Sequence, residues 1–438
     1  MKKKLYMILF LATLLTTPMA AQDGSDIESA SLAVEQMLDQ TSDASIVQFI
    51  EKYMIELKDS RAYIEKIGDI RKELVGIRDD IGLDLDEAGA ILTFSSENVE
   101  KRLRIKYSNK NKKITDLYIL PPEQKLKFDI NDLNAFIQFM KDQNMAGLLY
   151  LKSKGVVVIK EPFGMANEPL GVANSAETIF AIGSRPIDFT TAAILLLDQR
   201  GLLSLDDSIE KYLVDVPSDK KGITIKHLMS GESGLPDFFD NEKDWNTDLQ
   251  WISRDEAIRR MMNQTLLFEP GQGNSHSHGA FGLLAAIVEL KSGKTYMDYL
   301  TENFFGPAEM TRTGAYGDKK DFEIKDFAVG GGPQFVGLPN IPPNWGPTSW
   351  LVKGSGGMYS TIDDLLKFYS LVRNGEVFDD AHIKYFKAPS ADVDGSMRGF
   401  ELFSVYNSPQ SELFLFLNSP GDNELRRKVF RALEDLID

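Results

Sequence analysis

Ser184 stands in the stretch AIGSRPIDFTTAAILLL, where a short strand, a turn and a buried helix are expected in succession. Ile179, Phe180 and Ile182 are strand-like, Gly183 and Ser184 suit a turn and cap, and Pro186 suits a first helical turn. Asp188 complements the helix N-terminus. Residues 190–197 are apolar nearly all round, the pattern of a helix inside a core. A hydroxyl held there, beside free N–H groups, is placed to be a nucleophile. It needs a base. A lysine at i+3 would share its helix face, but that position is Ile187, which takes no proton. Two of the four histidines, His276 and His278, fall in the loop FEPGQGNSHSHG. Side chains at i and i+2 of an extended segment point the same way, so the pair could hold a metal. No third ligand is evident, polar loop histidines are the simpler reading, and no metal or other cofactor is expected. His227 lies amid apolar residues and reads as structural.

The elements that must position these groups follow in order. Ser42 caps a helix whose face carries Ile46, Ile50, Tyr53, Met54 and Leu57, and a second helix carries Ile64, Ile67, Ile70, Leu74 and Ile77. The period then changes. Residues 90–94, 99–107 and 114–120 read as three antiparallel strands. These helices and strands form a small α+β unit at residues 22–122, ending at Pro121-Pro122. It has no histidine, and a packing or lid role is expected of it. Beyond it, residues 130–140 form an amphipathic helix, and 147–151 with 156–160 form a hairpin. Helices follow at 255–262 and 281–290, and another after the Gly-rich GSGGMYS turn, capped by Ser360 or Thr361. Strands at 399–405 and 412–417 and a helix at 423–437 close the chain.

Composition limits what such a chain can do. The start, MKKKLYMILFLATLLTTPMA, reads as a secretory leader over residues 1–21, too short in its apolar run to span a membrane. The expected location is therefore periplasmic or secreted, with no membrane anchor. The chain has no cysteine, which excludes disulfides and thiolate chemistry. Its net charge of −16 becomes −19 without the three leader lysines, a poor match for nucleic acid or an anionic membrane surface.

IFAIGS with FTTAAILLL, GLLSLDDSIEKYL, ITIKHLMSGESGLPD, FEPGQG, FGLLAAIVELKSGKTYMDYL and GGMYSTIDDLLKF occur in this order. Together they resemble the serine β-lactamase-related superfamily of class C β-lactamases, DD-peptidases and esterases, over residues 123–438. The resemblance implies an α+β fold: an antiparallel sheet flanked by helices, plus a helical lobe, with the site between them. It implies acyl transfer to serine, with a lysine at i+3, a Tyr-x-Asn loop and a His/Lys-x-Gly strand. Ser184 takes the nucleophile position, Ile187 the lysine's, and His276, Ser277 and His278 the Tyr-Ser-Asn loop. Val393, Asp394 and Gly395 take the strand motif, of which the glycine alone remains.

Landmarks kept while proton-handling residues are lost imply an exported pseudoenzyme, a binding or regulatory protein. Its cleft, lined by Ile187, Ser277, His278 and Gly395, would take a peptidoglycan fragment, a peptide or an ester ligand, and Ser184 would be only a helix cap. The alternative is a divergent serine hydrolase of esterase or peptidase type. There His276 stands in for the tyrosine and activates Ser184, with Glu232 or Asp394 orienting it.

Overall fold

The structure is a computed structural model that describes residues 20–39, 42–55, 60–77, 80–86, 89–96, 99–108, 110–122, 125–237, 251–332, 338–396, 398–419, 421 and 423–437. The expected leader falls, but for its last two residues, outside these. The chain divides into two compact units, residues 1–126 and 127–438.

In the first unit, helices α1 (Ala20–Asp39), α2 (Asp43–Tyr53) and α3 (Ser60–Leu74) precede an antiparallel sheet. Its strands β1 (Asp80–Asp86), β2 (Gly89–Ser96), β3 (Val99–Ser108) and β4 (Lys113–Ile119) pair in sequence order. Ser42 caps α2 by accepting from the Ser45 N–H. Alternation in β3 sends Leu103 and Ile105 into a core with Val34, Ile46, Ile67, Leu74, Phe94 and Leu117. Strand β1 was not legible in the sequence, because DIGLDLD spends its alternate positions on glycine and aspartate, which strands disfavour.

The second unit is built on a five-stranded antiparallel sheet. After α4 (Leu133–Asp142) come the hairpin strands β5 (Ala146–Ser153) and β6 (Val156–Phe163), then a small pair, β7 (Met165–Asn167) and β8 (Val172–Ala173). Strand β9 (Phe180–Ala181) leads into the Ser184 turn and α5 (Pro186–Gln199). Helices α6 (Ile225–Ser230), α7 (Arg254–Met262), α8 (His278–Ser292) and α9 (Tyr296–Leu300) make the helical lobe. Strands β10 (Gly314–Ala315) and β11 (Met358–Ser360) join β9 in a three-stranded sheet ordered β10-β11-β9. Helices α10 (Ile362–Arg373) and α11 (Asp380–Lys387) lead to β12 (Ser390–Ser396), β13 (Phe400–Ser408), β14 (Ser411–Ser419) and α12 (Asn423–Glu434). The large sheet is ordered β12-β13-β14-β5-β6, so β12 is an edge.

One apolar cluster joins the layers. Phe189, Ile194 and Leu197 of α5 meet Leu283, Leu284 and Ile287 of α8, Leu148 and Phe416 of the sheet, and Phe368 of α10. Burial of this kind contributes roughly 25 cal/mol per Å² of apolar surface. The single polar side chain deep in α5, Thr190, donates to the Gly354 carbonyl at 2.6 Å and meets the Tyr296 hydroxyl at 2.5 Å. Its hydrogen-bonding capacity is thus met inside the core. The result is the expected α+β class: an antiparallel sheet flanked by helices, with a helical lobe.

Candidate active site

The nucleophile turn is fixed from three sides. Backbone bonds from Ile182 N–H to the Met358 carbonyl and from Arg185 N–H to the Ile182 carbonyl close the turn after β9. Gly183 has a left-handed φ of 53°, and a Cβ there would lie 2.8 Å from the Asp394 carbonyl carbon and the Gly395 nitrogen. Only glycine fits both the conformation and the approach. The edge strand β12 therefore lies directly against the turn. Helix α5 begins at Pro186 with Arg185 at its N-cap, so Ser184 stands one residue before the cap and is not itself the cap.

The Ser184 hydroxyl meets His278: Oγ lies 3.2 Å from Nε2. On the other side of the ring, Nδ1 lies 2.6 Å from Asp237 Oδ2. A carboxylate only accepts hydrogen bonds, so Nδ1 carries the ring proton and Nε2 is left to accept from the serine O–H. The His278 and Asp237 side chains keep 11% and 15% of their exposure. Ser277 holds the two supporting elements together. It caps α8 by accepting from the Ala280 N–H at 3.2 Å, and it donates to the Pro236 carbonyl at 3.1 Å, one residue before Asp237.

The hydrogen bond to Ser184 that the sequence assigned to His276 is thus made by His278. The physical reason is that α8 starts at His278, three residues earlier than its apolar run announces, because Ser277 is its cap. His276 lies beside that start. Its ring sits edge-on to His278 at 4.6 Å and over Phe281 at 6.2 Å between centroids. Burial pushes its imidazole down to about 4, with the neighbouring His278 adding to it although Asp237 pulls the other way. His276 is therefore neutral near pH 7. Neither acid proposed to orient the histidine does so. Glu232 accepts from the Ser230 hydroxyl, and Asp394 pairs with Arg185. Asp237 was missed because 41 residues separate it from His278. The available signal was its place directly after Gly-Leu-Pro.

Ile187, in the lysine's position, is half-buried and packs against the main core. Val393 is half-buried, and Gly395 lies against Gly183. His227 is structural: it takes part in the capping box of α6, its Nδ1 accepting from the Thr224 N–H at 3.4 Å. Among the described residues no group of three or more His, Asp or Glu is placed to hold a metal ion.

Arg185 carries a second, buried constellation beneath the turn. Its guanidinium, 6% exposed, pairs with Asp394 and donates to Ser404 Oγ at 2.8 Å, the Tyr369 hydroxyl at 3.0 Å and Asp188 at 3.3 Å. Burial opposes its charge, yet Asp394, Tyr369, Asp188 and Asp392 together hold it well above its ordinary value. Burial pushes Asp394 up to about 7 against the pull of Arg185, with Asp392 and Asp188 adding to the rise.

Residues 134–400 match the Beta-lactamase family, and the chain belongs to it. Penicillin-binding protein 4* of Bacillus subtilis is 29% identical over 330 residues, 66% of this chain and 72% of that protein. The teichoic acid D-alanine hydrolase of Staphylococcus aureus is 23% identical over 310 residues, 66% of this chain and 75% of the relative. The crystal structure of a penicillin binding protein from Bacillus halodurans superposes with a TM-score of 0.57 at 22% identity, covering 71% of this chain and all of that one. The family match lies wholly within the second unit.

Proposed function

We propose that this protein is an exported serine hydrolase of the β-lactamase-related fold whose base is a histidine. The observation that carries the reading is the continuous chain Ser184–His278–Asp237 at 3.2 and 2.6 Å. Nucleophile, base and orienting acid within hydrogen-bond reach are the arrangement that activates a hydroxyl at neutral pH. Ser184 Oγ attacks the acyl carbonyl carbon while its proton passes to His278 Nε2. The negative oxygen of the tetrahedral intermediate is received by backbone N–H groups at the turn and along the adjoining free edge of β12. Collapse expels the alcohol or amine, which takes the proton back from Nε2. Water then attacks the acyl-serine, giving its proton to Nε2, and the carboxylic acid leaves as Ser184 recovers its hydrogen. Asp237 keeps the proton on Nδ1 throughout and stabilises the transient imidazolium.

The substrate class is an ester or amide acyl donor of the cell envelope. The leader-like start and a relative named as a D-alanine hydrolase of teichoic acid support it. Among the described residues no helix is long and apolar enough to cross a membrane. The non-catalytic binding reading keeps one observation in its favour, the apolar Ile187 in the lysine's place. Steady-state hydrolysis of a p-nitrophenyl ester separates the two. Turnover abolished by Ser184→Ala and lowered about 10²–10⁴-fold by His278→Gln is expected of the hydrolase. Turnover equal in wild type and Ser184→Ala belongs to the binding protein.

A further inference from the structure

The nucleophile is followed at once by a buried arginine that the acyl-transfer steps above do not use. Arg185 joins four elements through its guanidinium. Asp188 is on α5, Tyr369 on α10, Asp394 on β12 and Ser404 on β13. Tyr369 in turn donates to Asp188. Asp392 lies 3.9 Å from Arg185, and Arg373 stacks on Tyr369 with its centre 4.2 Å from the ring. Of these links, the pair with Asp394 is the one that reaches the site. Asp394 and Gly395 of β12 lie close against Gly183, one position before Ser184. Among the described residues, strand β12 has a strand neighbour on one side only. Pairing with β13 holds its other side, and the Arg185 link ties its free edge to the turn. The spacing between edge and turn decides whether a tetrahedral oxyanion finds its donors, and donor placement matters at the ångström level.

We infer that Arg185 and Asp394 are a positioning pair for the reaction at Ser184, holding the edge of β12 against the nucleophile turn. The fork shape of a guanidinium suits this role, because it fixes direction as well as distance. The inference rests on the hydrolase reading. It goes beyond it by assigning a function to a pair that touches neither substrate nor reacting atoms.

The test is the steady-state hydrolysis of p-nitrophenyl acetate by the full mature chain, with thermal melting measured alongside. Asp394→Asn keeps the shape and removes the charge. It is expected to lower kcat about 10–100-fold with KM within about 2-fold, the mark of geometry lost in the transition state alone. Arg185→Lys keeps the charge and loses the fork, and is expected to lower kcat about 10-fold. It decides the matter if Asp394→Asn does not fold. Ile383→Ala, in the core on α11, serves as a control that lowers melting temperature while leaving kcat within about 2-fold. Folded Asp394→Asn or Arg185→Lys with wild-type kcat overturns the inference and leaves the hydrolase reading standing. So does a loss of kcat in Ile383→Ala that tracks its loss of stability as closely as in the pair variants. Absence of any Ser184-dependent hydrolysis in the wild type overturns the hydrolase reading and the inference with it.

Discussion

At the residue scale, the proposed base of Ser184 is a histidine, with no lysine at i+3. An isoleucine at i+3 offers packing and no proton transfer. On the proposed reading the base is an imidazole from another helix, hydrogen-bonded to a carboxylate from a third segment. Asp237→Asn tests the third member. An amide can present an N–H to Nδ1 and favour the wrong tautomer. Ester turnover is expected to fall about 10²–10⁴-fold with the melting temperature little changed. A turnover within about 3-fold of wild type would remove Asp237 from the mechanism. Ile187→Lys is the converse test. A charge placed against the apolar core without a partner is unfavourable, visible as a lower melting temperature. No gain in turnover is expected, because the serine hydroxyl already meets His278. A gain of tenfold or more would show that the site still waits for its lysine.

At the element scale, two backbone features hold the residues in place. One is the cap of α8. Ser277 satisfies the Ala280 N–H and grips the Pro236 carbonyl, so one side chain aligns both His278 and Asp237. Ser277→Ala is expected to cost about 1 kcal/mol of stability. It should also lower kcat, and intact kcat at the reduced stability would confine Ser277 to capping. The other is the Gly183 turn, where alanine would meet the backbone of β12 at 2.8 Å. These features explain what the sequence revealed and what it hid. Apolar pattern announced α5, β13 and β14 as nearly continuous buried runs, the β5–β6 hairpin by its turn, and α12 by one buried face. The spacing from Ser184 to position 187 showed that the lysine was missing. The replacement was hidden because its parts are far apart in the chain and meet only through tertiary packing. Choosing between His276 and His278 depended on where α8 begins. A polar cap set that boundary, three residues before the apolar run that marks the helix in sequence.

At the scale of the whole molecule, the pH dependence of stability carries a signature of the site. His276 titrates near 4 in the folded chain and near 6.5 when unfolded. Between those values the unfolded chain binds a proton that the folded chain does not, so stability rises with pH across the window. That contribution is lost as pH falls from 6.5 to 4. His382 works in the opposite direction. Burial opposes its charge, but hydrogen bonds with Asp379 and Asp198 outweigh it and raise its pKa. Its stabilisation is complete below the unfolded value and lost as pH rises through the folded one. Denaturant unfolding of wild type and His276→Phe between pH 4 and 7 separates the two. The stability difference between wild type and variant is expected to rise from pH 4 to 6.5, beside the opposite contributions of Asp394 and Glu401, which burial pushes up to about 7. An unchanged slope would place the acid sensitivity elsewhere.

The chain has the family fold, but whether it acts on an acyl donor rests on one hydroxyl. The most direct measurement is the intact mass of the mature protein after exposure to a fluorophosphonate, for wild type, Ser184→Ala and His278→Gln. One phosphonyl adduct per wild-type chain is expected, located on Ser184, absent from Ser184→Ala and formed at least about 100-fold more slowly in His278→Gln. No adduct on a folded wild-type chain, or one that forms equally fast without His278, would contradict a catalytic Ser184–His278–Asp237 chain.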